Sequence, residues 1–115
     1  MTVLIVDDHP SFRATARALL ESEGYDVVGE AATAAAALRL ATETRPDVVL
    51  LDIQLPDLDG FEVAKQLAAL APSTKIVLTS SRDSQDYGPC IADSAAQGFV
   101  PKAELSGPTL AALLA

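Results

Sequence analysis

The sequence predicts an α/β protein built on a doubly wound, five-stranded parallel sheet with helices on both faces. Aliphatic runs recur at 3–6, 48–51 and 76–78, with weaker ones at 25–28 and 98–100. The intervals between them are long enough for helices, so the chain reads βαβαβ from end to end. Two of the strongest runs, Val3-Leu4-Ile5-Val6 and Val48-Val49-Leu50-Leu51, stop abruptly at carboxylates, Asp7-Asp8 and Asp52. Open parallel sheets present reactive groups in this way, because ligands bind outside the carboxyl ends of their strands. Right-handed crossovers leave few other topologies for such an alternation.

Each interval supports the pattern in turn. In 10–23, Phe12, Ala16, Leu19 and Leu20 fall at i, i+4, i+7 and i+8, with Pro10 suited to a first turn and Gly24 placed to stop the helix. Interval 34–43 is alanine-rich, with Thr33 as N-cap and Leu38 and Ala41 on one side, which predicts a thin helix that packs closely. Val63, Leu67 and Leu70 form one stripe in 60–70, which Pro72 ends. Segment 82–97 starts polar and is interrupted by Gly88-Pro89, so a short or displaced helix is expected there. From Leu105 to Ala115, Ser106 serves as N-cap, and Leu110, Ala111, Leu113 and Leu114 turn towards the sheet. Asp57, Asp59 and Gly60 read as turn and helix-start residues, and His9 as a surface or capping residue.

The 115 residues suffice for one compact domain, expected over 1–115, and are too few for two ordinary ones. A hydrophobic fraction of 50% argues against disorder. The longest apolar runs fall well short of the roughly 20 residues that cross a bilayer, so no membrane span is expected. Met1-Thr2-Val3-Leu4 has no basic stretch before its apolar segment, which argues against a signal peptide and for a cytoplasmic location. The single cysteine, Cys90, excludes an internal disulfide and a multi-cysteine metal site. A formal charge of -8 disfavours direct nucleic-acid binding, which depends on Lys and Arg neutralising phosphates, and fits cation binding.

In this architecture one sheet edge collects Asp7, Asp8, Asp52, Thr79, Ser80 and, after the 98–101 strand, Lys102. At an effective dielectric near 20, two carboxylates about 4 Å apart repel by roughly 4 kcal/mol, so three together require a cation or a proton. Mg²⁺ suits them, because it takes oxygen ligands and needs only one or two carboxylates plus a backbone carbonyl. Asp52 would be the nucleophile that forms an aspartyl phosphate. Lys102 would clamp a phosphoryl oxygen, and a hydroxyl from Ser80 or Thr79 would donate to another only when the group is present, which makes a switch.

Four segments together resemble bacterial two-component response-regulator receiver domains of the CheY-like superfamily. They are Val-Leu-Ile-Val-Asp-Asp-His at 3–9, Pro-Asp-Val-Val-Leu-Leu-Asp-Ile-Gln-Leu-Pro-Asp-Leu-Asp-Gly at 46–60, Lys-Ile-Val-Leu-Thr-Ser at 75–80 and Ala-Ala-Gln-Gly-Phe-Val-Pro-Lys at 95–102. The resemblance covers essentially the whole chain. It implies a flavodoxin-like (βα)₅ fold and phosphorylation of Asp52 by a partner sensor histidine kinase. It also implies Mg²⁺ held by Asp8, Asp52 and the backbone carbonyl of Gln54, with Asp7 acting mainly through water. Family spacing assigns the switch hydroxyl to Ser80, with Thr79 as a one-residue alternative, and the basic position to Lys102. The aromatic that reorients in the family falls on Phe99, which lacks the hydroxyl of the commoner tyrosine and must switch by packing alone. Pro101 precedes the lysine and Ala103 follows it, where many members carry a cis-proline.

Gln-Gly-Phe-Val-Pro-Lys resembles receivers of the LuxR/NarL-type transcription regulators, which add a C-terminal DNA-binding domain; the chain stops at its fifth helix with no basic helix-turn-helix segment. A second copy of the chain is a further expected partner, as a homodimer. The implied activity is self-catalysed phosphoryl transfer with slow autodephosphorylation rather than turnover of a substrate. Two other readings compete. One is a pseudo-receiver that binds partners independently of phosphorylation; the other is an aspartate-nucleophile phosphohydrolase, which usually has a second acid where this chain has Gln54.

Overall fold

The computed structural model describes residues 1–81, 87 and 89–114. The sheet consists of β1 (Thr2–Val6), β2 (Asp26–Ala31), β3 (Val48–Asp52), β4 (Lys75–Ser80) and β5 (Gly98–Pro101). All neighbours pair in parallel, in the order β2-β1-β3-β4-β5. The helices are α1 (Pro10–Ser22), α2 (Ala34–Thr44), α3 (Gly60–Leu70), α4 (Pro89–Ala92) and α5 (Gly107–Leu114), with a 3₁₀ turn over Lys102–Glu104. This is the flavodoxin-like α/β architecture that the sequence predicts.

Strand residues alternate between the two faces, and each face carries its own core. Leu4, Val6, Val49, Leu51, Ile76 and Leu78 meet Ala34, Ala37 and Ala41 of α2 and Val63, Ala64 and Leu67 of α3. Val3, Ile5, Val48, Leu50, Val77 and Val100 meet Ala16 and Leu20 of α1 and Leu110 and Leu114 of α5. Because β1, β3 and β4 are covered on both sides, their sequences are unbroken aliphatic runs rather than alternating ones. The alanine-rich α2 lies close to the sheet because its contact residues have no bulk, with Ala34, Ala37 and Ala41 all buried.

Helix boundaries follow local chemistry. Pro10 opens α1, and Gly24 at φ 92° follows its end, a conformation that glycine adopts without strain. Thr33 caps α2 by accepting from Ala36 N at 3.2 Å, and Asp59 caps α3 by accepting from Glu62 N at 2.9 Å. Ser106 caps α5 by accepting from Thr109 N at 3.1 Å.

β2 differs from expectation, while the fourth and fifth helices meet it. β2 runs through Gly29 and Glu30 to Ala31, because an edge strand is held by its backbone pairing with β1 and needs no aliphatic run. The fourth helix is short, as expected, and starts at Pro89, where a missing N–H costs nothing; the polar start at 82–86 and Gly88 lie outside the described residues. The fifth helix begins at Gly107, directly after the Ser106 N-cap that the sequence predicts, and Leu105 belongs to the connection after the 3₁₀ turn.

Candidate functional site

The carboxyl ends of β1, β3, β4 and β5 gather the site. Asp7 continues β1, tied by its N–H to Ala31 O at 2.9 Å, and its side chain is fully buried. Asp8 follows, half-buried. Asp52 is the last residue of β3 and is 2% exposed. Lys102 leaves β5 into the 3₁₀ turn and points back, with its Nζ 2.6 Å from Asp7 Oδ2 and 3.5 Å from Asp52 Oδ2. The shorter contact is an ion pair without hydrogen-bond alignment. The ammonium also lies over the Phe12 ring of α1, 4.5 Å from its centroid, where the ring quadrupole attracts it.

Backbone donors fix the carboxylates. Gln54 N–H donates to Asp52 Oδ1 at 3.0 Å, and His9 N–H donates to Asp7 Oδ1 at 2.8 Å. Burial pushes the Asp52 carboxyl above the usual carboxylate range, and the nearby Asp7 charge adds to that, against the Gln54 N–H and Lys102.

Asp7, Asp8, His9 and Asp52 each offer one donor atom, all within 4.8 Å of one another. Asp8 Oδ1 is buried with no hydrogen-bond donor, although His9 Nδ1 lies 3.0 Å away. A buried carboxylate oxygen without a donor is costly unless something positive meets it, so this oxygen-rich cluster fits a small divalent cation. The role of His9 is thus richer than a surface cap: its ring faces both Asp7 and Asp8 at 3.0 Å.

The remaining expected positions separate onto two sides of β4. Thr79 is the in-register partner of Asp52, and its Oγ1 is buried without a hydrogen-bond partner. Ser80 is buried, and its Oγ meets the Tyr87 hydroxyl at 2.7 Å. Phe99 is half-buried on β5, its ring centroid 6.0 Å from that of Tyr87. Gln54 pairs with Asp59 in an isolated bridge that closes the β3–α3 loop, and it is exposed.

Two residues that sequence reasoning passed over, Arg13 and Tyr87, support the site, as does Gly60, which it read as a turn and helix-start residue. Arg13 donates from a guanidinium NH to Asp7 O at 2.6 Å while its Nε meets Glu30 Oε1 at 3.2 Å, bracing the β1 end. Gly60 sits so close to β3 that a Cβ there would lie 2.5 Å from Ile53 Cα and 2.7 Å from Asp52 O. Tyr87 joins Ser80 to the aromatics. Only Gly60 carried a usable signal, as a glycine at a helix start after an acid-ended strand; the others depend on contacts between distant elements.

The response regulator receiver domain family matches residues 3–113. The transcription regulator BvgA of Bordetella pertussis is 44% identical over 103 residues, which cover 89% of this chain and 49% of BvgA. The signal receiver domain of the response regulator NarL from Mycobacterium tuberculosis superposes with a TM-score of 0.84 at 36% identity, covering 98% of this chain and 95% of that one. A response regulator from Burkholderia pseudomallei, with a phosphorylated aspartic acid and a calcium ion, superposes with a TM-score of 0.86 at 26% identity, covering 97% of this chain and 65% of that one. The chain spans about half the length of the curated relatives it matches, 49% of each of the first two. Among the described residues no helix is long and apolar enough to cross a membrane. With its parallel five-stranded sheet, its acid-ended strands and a match from residue 3 to residue 113, the chain belongs to the response-regulator receiver domains, signalling phosphoacceptors whose general role is phosphorylation-driven switching.

Proposed function

We propose that Asp52 is the phosphoacceptor of a single receiver domain spanning residues 1–115, charged by a sensor histidine kinase and read out by a downstream partner. The observation that carries this is the Asp52 carboxylate itself, 2% exposed at the end of β3 and flanked by Asp7 on one side and Lys102 on the other. An Asp52 oxygen forms the new P–O bond while the donor's P–N bond breaks, and the departing imidazole takes up a proton. Lys102 steers the phosphoryl oxygens as a cationic donor. Asp8, Asp52 and the Gln54 carbonyl would hold Mg²⁺, with Asp7 behind them, and when bound the ion supplies charge neutralisation at the transferred group. Formation of the acyl phosphate and its slow hydrolysis are self-catalysed, with no second enzyme required.

Ser80 supplies the conditional hydroxyl, and Phe99 answers by packing. Thr79 is the second reading for the hydroxyl, favoured by its partnerless Oγ1 beside Asp52. The output is control of transcription through a segment beyond this domain, in keeping with the transcription regulators it resembles. A second copy of the chain is an added partner, and the domain itself binds neither nucleic acid nor membrane and works in the cytoplasm.

Labelling with acetyl phosphate and Mg²⁺, followed by intact mass, tests the reading. Wild type takes up one phosphoryl group, Asp52→Asn takes up none, and chelation of the metal abolishes uptake. Undiminished uptake in Asp52→Asn would assign the chemistry elsewhere. Loss of uptake in Thr79→Ala with retention in Ser80→Ala would transfer the hydroxyl role to Thr79.

A further inference from the structure

We propose that His9 is a nitrogen ligand of the cation site, which fits the site for imidazole-preferring divalent ions, Zn²⁺ and Ni²⁺, as well as Mg²⁺. The proposal rests on the reading of the acids at the ends of β1 and β3 as the cation site beside the phosphoacceptor, a reading that uses oxygen donors only. His9 Nδ1 lies 3.0 Å from Asp7 Oδ1 and 3.0 Å from Asp8 Oδ1. The donor atoms of Asp7, Asp8, His9 and Asp52 all fall within 4.8 Å of one another. With bonds of about 2.0–2.1 Å, neighbouring donors stand about 3.0 Å apart in an octahedron and about 3.4 Å in a tetrahedron, and opposite donors in an octahedron about 4.2 Å. The two contacts of His9 therefore match the edges of a coordination shell, and the widest separation has only about half an ångström to close.

Local structure aims the ring. Steric clash with a proline keeps the residue before it out of the helical region, and His9, ahead of Pro10, has φ -95° and ψ 109°. It stands at the N-cap of α1, yet its side chain caps nothing. Its backbone does the holding instead: the N–H donates to Asp7 Oδ1 at 2.8 Å, and the carbonyl accepts from Arg13 N at 3.1 Å. The imidazole is thus free to serve the cluster. With 63% of the side chain exposed, the ring lies on the solvent side of the acids, where an ion arrives.

The ring and the acids do not satisfy one another. A neutral imidazole carries one N–H, so Nδ1 can aim a proton at one carboxylate oxygen at most. The aligned contact is with Asp7 Oδ1, and Asp8 Oδ1 stays buried without a donor although it is equally near. A cation among these atoms removes the conflict: with its proton on Nε2, the ring turns a lone pair to the ion, as the carboxylates do. His9, Asp8, Asp52 and the Gln54 carbonyl would fill four of six octahedral positions, which leaves room for water and a phosphoryl oxygen. Carboxylates and carbonyls suit Mg²⁺, whereas an imidazole favours Zn²⁺ and Ni²⁺. The added nitrogen therefore shifts the preference of the site towards those ions.

The chain has one histidine, so every imidazole signal belongs to His9. The full chain, carrying ¹⁵N-histidine, is titrated with Zn²⁺ or Mg²⁺ while the ring nitrogens are followed by NMR, and both affinities are measured by calorimetry. Zn²⁺ should move the Nδ1 resonance to a metal-bound position, Mg²⁺ should move it far less, and the Zn²⁺ shift should vanish when Asp8→Asn and Asp52→Asn are combined. His9→Ala should weaken Zn²⁺ binding by about tenfold or more, and Mg²⁺ binding by less than about threefold. Absence of Zn²⁺ binding, a ring that ignores bound Zn²⁺, a shift that survives loss of both acids, or equal Zn²⁺ affinity in His9→Ala overturns the proposal. Labelling of wild type by acetyl phosphate and Mg²⁺ is scored separately by intact mass. A chain that never labels at Asp52 overturns the phosphoacceptor reading, whereas the ring spectrum still decides whether His9 holds the ion.

Discussion

Lys102 Nζ stands nearer to Asp7 than to Asp52, 2.6 Å against 3.5 Å. The cation from β5 thus neutralises the buried acid at the end of β1 first, leaving the Asp52 carboxylate less fully compensated. Lys102→Met would leave Asp7 buried beside Asp52 with no counter-charge, and removing one member of a buried pair costs about 3 kcal/mol. The urea midpoint of the variant should fall accordingly without metal, and millimolar Mg²⁺ should restore much of it, since a ligand that binds only the folded state stabilises it. A midpoint that ignores Mg²⁺ would count against the acidic cluster as a cation site.

Phe12 orients that same lysine from below, through the 4.5 Å contact of the ammonium with its ring. Phe12→Leu keeps apolar volume in the α1 core and loses the attraction, worth about 0.5–1 kcal/mol at such a site. Labelling by acetyl phosphate should slow by about two- to fivefold, while thermal unfolding moves little. An unchanged rate would mean that Lys102 is held by the acids alone.

Gly60 is where α3 touches the chain segment carrying the phosphoacceptor. Its N–H donates to Ile53 O at 2.6 Å, and a methyl group would press on the Ile53 and Asp52 backbone rather than on a side chain that can move aside. Gly60→Ala should therefore destabilise by about 1–3 kcal/mol in urea titration. It should also depress labelling of Asp52, because the only relief is to push the β3 end or α3 away.

Asp57 links the β3–α3 loop to α2 by accepting from Ala34 N at 2.8 Å and Ala35 N at 3.2 Å. These bonds, led by that from Ala34, hold its carboxyl below the usual carboxylate range. The stabilisation is complete above the unfolded value of about 3.9 and is lost as pH falls through the lower folded value. Asp57→Asn should lower the melting temperature at pH 7, with the gap to wild type closing in strongly acid solution below pH 3.9. A gap independent of pH would assign the effect to loop geometry rather than to charge.

Some of this protein is determined by local pattern. Aliphatic runs ending in acids fixed the β1 and β3 boundaries and put Asp7, Asp8 and Asp52 at one edge, because a parallel sheet aligns all its carboxyl ends. Caps at Thr33, Asp59 and Ser106 were equally legible, since capping depends on residues three apart. The extent of β2 was not: Gly29 and Glu30 carry no strand signature, and their pairing with β1 is a property of the assembled sheet.

Sequence by itself determined the fold, the acids and the basic residue opposite them, because each is written in spacing along one segment. Tertiary structure alone decided how they are wired. It put Lys102 closer to Asp7 than to Asp52, set Thr79 beside Asp52 with an unpartnered hydroxyl, and handed the Ser80 hydroxyl to Tyr87. The physical reason is that these are contacts a few ångströms long between residues far apart in the chain, fixed by how both faces of the sheet pack and by which side of β4 each side chain leaves.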